Sequence, residues 1–239
     1  MFEVGRLLYG SQNLNLDGPD SDKDYKVLLC PEVDDLYYRK RVEQNDTPAG
    51  LDHEHYSPMD VRDFDRLVRA GNPNVLEMLY SKECENFYVD LEIYLDYAAE
   101  LYEKGYLVMV FPQFFKAVKG IVFNSFSRYG VNRKSASRVC FWTTFVEKVV
   151  LNNFKVSPRF WSCDAAREMR FNEKIELPTK EDFVKAFDNL EKFALNEAEN
   201  AYLALDDASL AFYDKEVKDL EKRMKRFVFS MVKDDLRHY

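Results

Sequence analysis

The sequence predicts an α+β fold in which a small mixed sheet is followed by a mostly helical C-terminal part. Short apolar runs separated by turn residues occupy the first 60 or so positions, which is typical of strands joined by loops. After about residue 90, apolar residues recur at helical spacing and Gly and Pro become scarce. With 46% hydrophobic residues among 239, the chain can bury a sizeable core. We therefore expect an α+β unit in residues 1–90 and a helical domain packed on it in residues 91–239.

Three strands are predicted in the N-terminal unit. Residues 4–9 and 23–30 are short apolar runs joined by a turn-rich loop, and Pro31 ends the second. Residues 32–50 are polar and predict an exposed loop. Residues 51–56 read LDHEHY, and their alternation predicts a third strand with Asp52 and Glu54 on one face.

Helices are expected after the third strand. Ser57 is a candidate N-cap and Pro58 suits a first helical position, which predicts a helix from there to Arg69. Gly71 ends this helix, and Asn72 begins a second one over residues 75–80. In the C-terminal part, amphipathic patterns predict helices over residues 90–103, 111–128, 134–153, 180–205 and 208–233.

The first two predicted strands carry a pattern with chemical meaning. Gly10-Ser11 follows the first strand, and Asp22 and Asp24 stand at the start of the second. Side chains two apart on a strand share a face, and neighbouring carboxylates repel each other unless a cation or proton separates them. Mg²⁺ binds through one or two carboxylates together with phosphate oxygens, and a glycine turn offers backbone amides to an anion. The alternative interpretation is a solvated turn that leads into an edge strand. The glycine turn and the aspartate pair together instead predict a nucleoside triphosphate site with Mg²⁺ or Mn²⁺.

Two segments resemble a known family. Residues 10–24, with GSQNLNL and then PDSDKD, resemble the G-S-x-x-Y-G-L and P-x-S-D-x-D opening of the predicted nucleotidyltransferases of the YcgL or RlaP type, in the DNA polymerase beta superfamily. Residues 52–77, ending in GNPNVLE, resemble that family's next block. The resemblance covers residues 5–80 and is faint beyond, where Arg138 stands at the position of a usual His. It implies a polymerase-beta-like fold in a bacterial or phage protein, and transfer of a nucleotidyl group from an NTP such as ATP.

Further site residues follow from this chemistry. Two metals need a third carboxylate, for which Asp52 and Glu54 compete; the resemblance favours Asp52. Three cations, Lys26, Lys134 and Arg138, are candidate phosphate ligands. The histidines at positions 53 and 55 alternate with the two acids, so we expect them to point away from the metal site. Asn72, Asn74 and Glu77 are interpreted either as a helix-capping arrangement or as substrate contacts.

Composition limits the partners and the location. A net charge of −8 disfavours strong non-specific binding to nucleic acid. The four cysteines show neither disulfide nor zinc spacing, and there is no signal-peptide pattern and no uninterrupted apolar run of membrane-spanning length. A cytoplasmic protein without a membrane partner is expected.

The leading hypothesis is an enzyme, a metal-dependent nucleotidyltransferase whose acceptor is a small molecule, a protein or an RNA end. One alternative is a non-catalytic nucleotide-binding or regulatory protein on the same fold. Another is the nucleotidyltransferase component of a toxin–antitoxin pair, in which the helical part would offer the partner surface. The sequence leaves the acceptor, the base of the NTP and the oligomeric state open.

Overall fold

The computed structural model describes residues 1–18, 21–38, 40 and 54–236. Its N-terminal part contains a four-stranded mixed sheet of β1 (Phe2–Tyr9), β2 (Lys23–Cys30), β3 (Glu54–Asp60) and β4 (Cys84–Glu85), in the order β3-β2-β1-β4. Strand β1 is antiparallel to both β2 and β4, whereas β2 and β3 are parallel. The predicted α+β class with an N-terminal mixed sheet is confirmed at this level.

The start of the first predicted helix is wrong. Ser57 and Pro58 lie inside β3, and the N-cap is Asp60, whose side chain accepts the Arg62 amide at 2.8 Å. Strand β3 lies at the edge of the sheet, so Pro58, which lacks an N–H, is tolerated there without loss of a hydrogen bond between strands. The predicted start of the third strand, residues 51–53, lies outside the described residues.

The helices otherwise follow the periodicity of the sequence, with two additions at α1 and α7. In chain order they are α1 (Val33–Tyr37), α2 (Val61–Arg69), α3 (Pro73–Leu79), α4 (Val89–Glu103), α5 (Leu107–Tyr129), α6 (Arg133–Leu151), α7 (Asp164–Phe171), α8 (Lys180–Leu203) and α9 (Asp207–Asp235). Helix α1 replaces part of the loop expected after residue 32. Its first turn is fixed by a capping box between Glu32 and Asp35, and both carboxylates hold the N-terminal amine.

One continuous hydrophobic core joins the sheet to the helices. Helices α2 and α3 pack against the inner side of the sheet, and α4 and α5 contact α3 in turn. The aromatic rings of α5 and α6 meet in this core, with Phe114 lying 6.1 Å from Phe145 between ring centroids. The sheet and the helices therefore pack against each other through one core, and a cleft lies between them.

Helix α5 is long and apolar enough, by length and composition, to cross a membrane. Its sequence is interrupted by Gln113, Lys116 and Lys119, so it contains no uninterrupted apolar run of membrane-spanning length. Of an 18-residue apolar stretch within residues 107–128, 39% is buried inside the protein. Its large side chains Phe111, Phe114 and Phe115 are at most 1% exposed, so its apolar character serves the packing of the core.

Candidate active site at the sheet edge

The turn after β1 is built around Gly10. Tyr9, the last residue of β1, is paired with Asp24 of β2, and Gly10 then adopts φ +82°. A Cβ at this position would lie 3.0 Å from Asp24 Oδ2, so both the backbone angle and the neighbouring carboxylate require glycine. The loop closes on itself, because the Leu14 and Leu16 amides donate to the carbonyls of Gly10 and Ser11 at 3.1 and 2.7 Å.

Glu77 of α3 holds this turn in place. The Gly10 N–H donates to Glu77 Oε1 at 2.6 Å, and Asn13 Nδ2 donates to the Glu77 carbonyl at 3.2 Å. Glu77 is 3% exposed, and burial raises its pKa to about 8, although the bonds from Gly10 and Asn13 act in the opposite direction. The predicted cap at Asn72 is confirmed, since its side chain accepts the Asn74 amide at 3.1 Å. The predicted part of Glu77 in that capping arrangement is wrong, because its carboxylate binds the Gly10 turn.

Asp22 and Asp24 stand at the start of β2, next to the glycine turn. The pKa of the Asp24 carboxyl is raised, mainly by burial and also by the charge of Asp22, while His55, Lys134 and Arg138 lower it. His55 is paired with Asp24 across the parallel ladder, and its Nε2 lies 3.4 Å from Asp22 Oδ2. The expectation that this histidine points away from the carboxylate pair is wrong, because the register of β3 places residue 55, not 54, opposite Asp24.

Glu54 lies on the other face of the sheet. It is paired with Lys23, and its carboxylate accepts the hydroxyl of Tyr56, whose ring stacks on Tyr25 with 5.8 Å between centroids. Glu54 is therefore excluded by geometry as the third carboxylate beside Asp22 and Asp24. Asp52, the other candidate, lies outside the described residues.

The three cations proposed from the sequence are brought towards the same place. Lys134 and Arg138 are four residues apart on α6, so they share a helix face, and both are near enough to Asp24 to lower its pKa. Lys26, two residues beyond Asp24, donates to Ser57 Oγ and lies 5.1 Å from the centre of the Tyr9 ring. The Gly10 turn, the aspartate pair and these cations thus form one site.

A cleft of about 470 Å³ runs from this site between the sheet and helices α3, α5 and α6. Its polar lining consists of a backbone turn, amides and cations, with Glu77 as the acid: Gly10, Lys26, Asn72, Asn74, Glu77, Asn124, Ser125, Arg128 and Arg138. The volume lies in the range of small-molecule sites.

Sequence reasoning missed Arg128 and Asn124 of α5, which no motif marks. Glu77 was named from the sequence, but not as the carboxylate that binds the Gly10 turn. A signal for such a role exists, since Glu77 is the single acid in the otherwise apolar run VLEML.

The side chains fit Mg²⁺ or Mn²⁺ in part. Asp22 and Asp24 supply hard oxygen ligands, and phosphate oxygens of a bound NTP would complete such a site. Within residues 1–18, 21–38, 40 and 54–236, no group of three or more His, Cys, Asp or Glu is arranged to hold a metal ion by protein ligands alone. Residues 22 and 24 therefore fit one cation shared with a substrate. A second metal needs a further carboxylate.

No protein-family model matches this chain, and no curated protein matches it either. The interpretation of the site therefore depends on its residues and their geometry.

Proposed function

We propose that this protein is a metal-dependent nucleotidyltransferase, which transfers an NMP group from an NTP to an acceptor hydroxyl or similar nucleophile. The observation that supports this most is the junction of β1 and β2. There a glycine turn fixed by Glu77 lies against Asp24, and α6 presents Lys134 and Arg138 towards the same carboxylate. A polymerase-beta-like identity of the sheet, suggested by the resemblance of residues 5–80, is part of the same proposal.

Different residues of the site would bind different parts of a triphosphate. The loop that begins at Gly10 and Ser11 offers backbone amides to phosphate oxygens. Lys134 and Arg138 neutralise the negative charge of the β- and γ-phosphates, and Arg138 can do so with two parallel hydrogen bonds. Asp22 and Asp24 would hold the cation, which would supply Lewis-acid stabilisation of the charge that develops on the phosphate oxygens.

In the reaction, the acceptor oxygen attacks the α-phosphorus while the bond from that phosphorus to the bridging oxygen breaks, and pyrophosphate leaves. Charge accumulates on the leaving group, which is where the cations of α6 are needed. The cleft beyond Gly10 continues to Asn72, Asn124 and Arg128, which leaves room for the nucleoside or the acceptor. Asp52 stays the sequence-based candidate for the third carboxylate.

The proposal is tested by incubating the protein with each of the four α-labelled NTPs, Mg²⁺ and whole-cell extract. The Asp24→Asn protein serves as the control. Label in a protein, RNA or small-molecule fraction with the wild type, and none with Asp24→Asn, would support transfer and identify the class of acceptor.

Nucleotide binding without any transfer would favour the non-catalytic nucleotide-binding alternative. Transfer that a co-expressed partner protein suppresses would favour the toxin–antitoxin alternative. Equal labelling by wild type and Asp24→Asn would contradict the assigned site.

A further inference from the structure

Two of the four cysteines of this chain lie together, away from the proposed phosphate site. Cys140 is on α6 and Cys163 is the residue immediately before α7. We propose that Cys140 and Cys163 form a redox modification site, at which a peroxide converts the two thiols into a reversible disulfide that joins α6 to the start of α7. The inference does not depend on the proposed nucleotidyltransferase activity.

The geometry of α6 places the two thiols in contact. Residues 140, 144 and 148 follow one another at intervals of four, so they form a single stripe along the helix. At the far end of the stripe, Lys148 Nζ donates to the Ser162 carbonyl at 3.1 Å, which fixes the segment before Cys163 against α6. At the near end, the Cys140 and Cys163 thiols lie close enough for each to shift the pKa of the other, and the Thr144 hydroxyl acts on both.

The pair combines access with reactivity. Cys140 is half-buried, so a small oxidant reaches the pair from solvent, whereas Cys163 is 6% exposed. The Cys140 S–H and the nearby Lys148 charge both lower the pKa of the Cys163 thiol, and thiolates are the form that oxidants attack.

The other two cysteines lack this arrangement. Cys30 is fully buried, and burial raises the pKa of its thiol to about 12. Cys84 is exposed on β4, but its sulfur is partly shielded from water, which raises the pKa of its thiol. Within the described part of the chain, it has no second cysteine beside it to form a disulfide. Cys84 therefore provides a built-in comparison for accessibility alone.

The chemistry balances with a peroxide as the oxidant. The Cys163 thiolate takes the distal oxygen of hydrogen peroxide, which gives a sulfenic acid and releases hydroxide. The Cys140 sulfur then attacks the Cys163 sulfur and displaces the hydroxyl group, which leaves as water with the Cys140 proton. Overall, two thiols and one hydrogen peroxide become one disulfide and two waters. The disulfide would fasten α7, which carries Arg170, to the helix that carries Lys134 and Arg138.

The test uses the full-length protein treated with a small excess of hydrogen peroxide, quenched by alkylation and measured by intact mass and non-reducing peptide mapping. We expect the intact mass of the wild type to fall by two hydrogens and peptide mapping to show a cross-linked peptide that joins residues 140 and 163. Dithiothreitol should restore both thiols. We expect this cross-link to form roughly tenfold faster than any oxidation of Cys84. Cys84→Ser is the matched control and should form the same cross-link at the wild-type rate.

The single variants Cys140→Ser and Cys163→Ser should give no cross-link. Because the wild-type reaction is measured on the native protein, the proposal stays testable even where a variant folds poorly. Oxidation of Cys84 ahead of the pair, or the absence of a 140–163 cross-link in oxidised wild type, would overturn it.

Discussion

The two faces of the β2–β3 strand pair use acidic residues in opposite ways. On one face, two acids are held by tyrosines of the strand pair: Tyr56 donates to Glu54 of β3, and Tyr25 donates at 2.6 Å to Glu83, the residue before β4. On the other face, Asp24 of β2 is partly buried next to Asp22. Burial and the charge of Asp22 raise the pKa of Asp24, whereas Lys134 and Arg138 of α6 lower it. Tyrosine hydroxyls of the strand pair hold Glu54 and Glu83, whereas Asp22 and Asp24 lie beside each other and near the cations of α6, which is the composition of a binding site.

The largest expected difference between the faces is in metal-dependent NTP binding. Asp22→Asn and Asp24→Asn should each weaken NTP binding in Mg²⁺ by more than about a hundredfold, because each removes one of the two proposed ligands of the cation. Glu54→Gln, on the opposite face, should bind like the wild type. Isothermal calorimetry with and without Mg²⁺ measures this, and equal affinity in all four proteins would remove the basis for the comparison.

Arginine at the cleft should matter more than arginine on the other face. Arg138→Gln should reduce NTP affinity by about 10- to 100-fold, which corresponds to one lost charge-assisted contact of about 1.5–3 kcal/mol. Arg6 lies over the Tyr56 ring at 5.0 Å on the opposite face, so Arg6→Gln is the matched control. If Arg6→Gln weakens binding as much as Arg138→Gln, the effect comes from net charge and not from the cleft.

The glycine turn can be tested by a substitution that adds only a methyl group. Gly10→Ala should lower the free energy of unfolding by about 1–3 kcal/mol, since it forces alanine to φ +82° against Asp24, and it should also weaken NTP binding. Gly120 in α5 has open space around it, so Gly120→Ala should be neutral or stabilising. Chemical denaturation and calorimetry on both proteins separate the strained turn from a general effect of alanine.

The buried carboxyl of Glu77 should make stability depend on pH. Its pKa rises from 4.5 in the unfolded chain to about 8 in the folded protein, so between these values the unfolded state binds fewer protons. The free energy of unfolding therefore falls as pH rises from 4.5 towards 8, by on the order of 4 kcal/mol from this group. Glu77→Gln keeps an acceptor for Gly10 and should lose this slope. Identical pH profiles in denaturation would show that Glu77 is ionised throughout.

The smallest effect is expected at Ser11. Ser11→Ala should weaken triphosphate binding by about 1 kcal/mol, the value of one neutral hydrogen bond, with an unchanged melting temperature. A large loss of melting temperature without a change in binding would instead assign the serine a structural role.

Sequence patterns were enough to predict the main elements. Residues 23–30 and the long helices follow from local patterns, and motif spacing is enough to name Gly10 and Asp24 as candidates. The position of Arg138 near Asp24 depends on tertiary packing, which no local pattern encodes. The face of Glu54 did not follow, because a strand's face towards its neighbours is set by the pairing register, which a short alternating run does not encode. The role of Glu77 also depends on a contact across 67 residues, which helix-capping rules cannot supply.

The most direct measurement is a crystal structure of the protein with a non-hydrolysable NTP analogue and Mn²⁺, with the metal located by its anomalous scattering. We predict Mn²⁺ between the carboxylates of Asp22 and Asp24 and a phosphate oxygen, with the triphosphate against the Gly10–Ser11 turn and within hydrogen-bonding distance of Arg138. A metal bound elsewhere, or a nucleotide on the face that carries Glu54 and Tyr56, would contradict the proposed function.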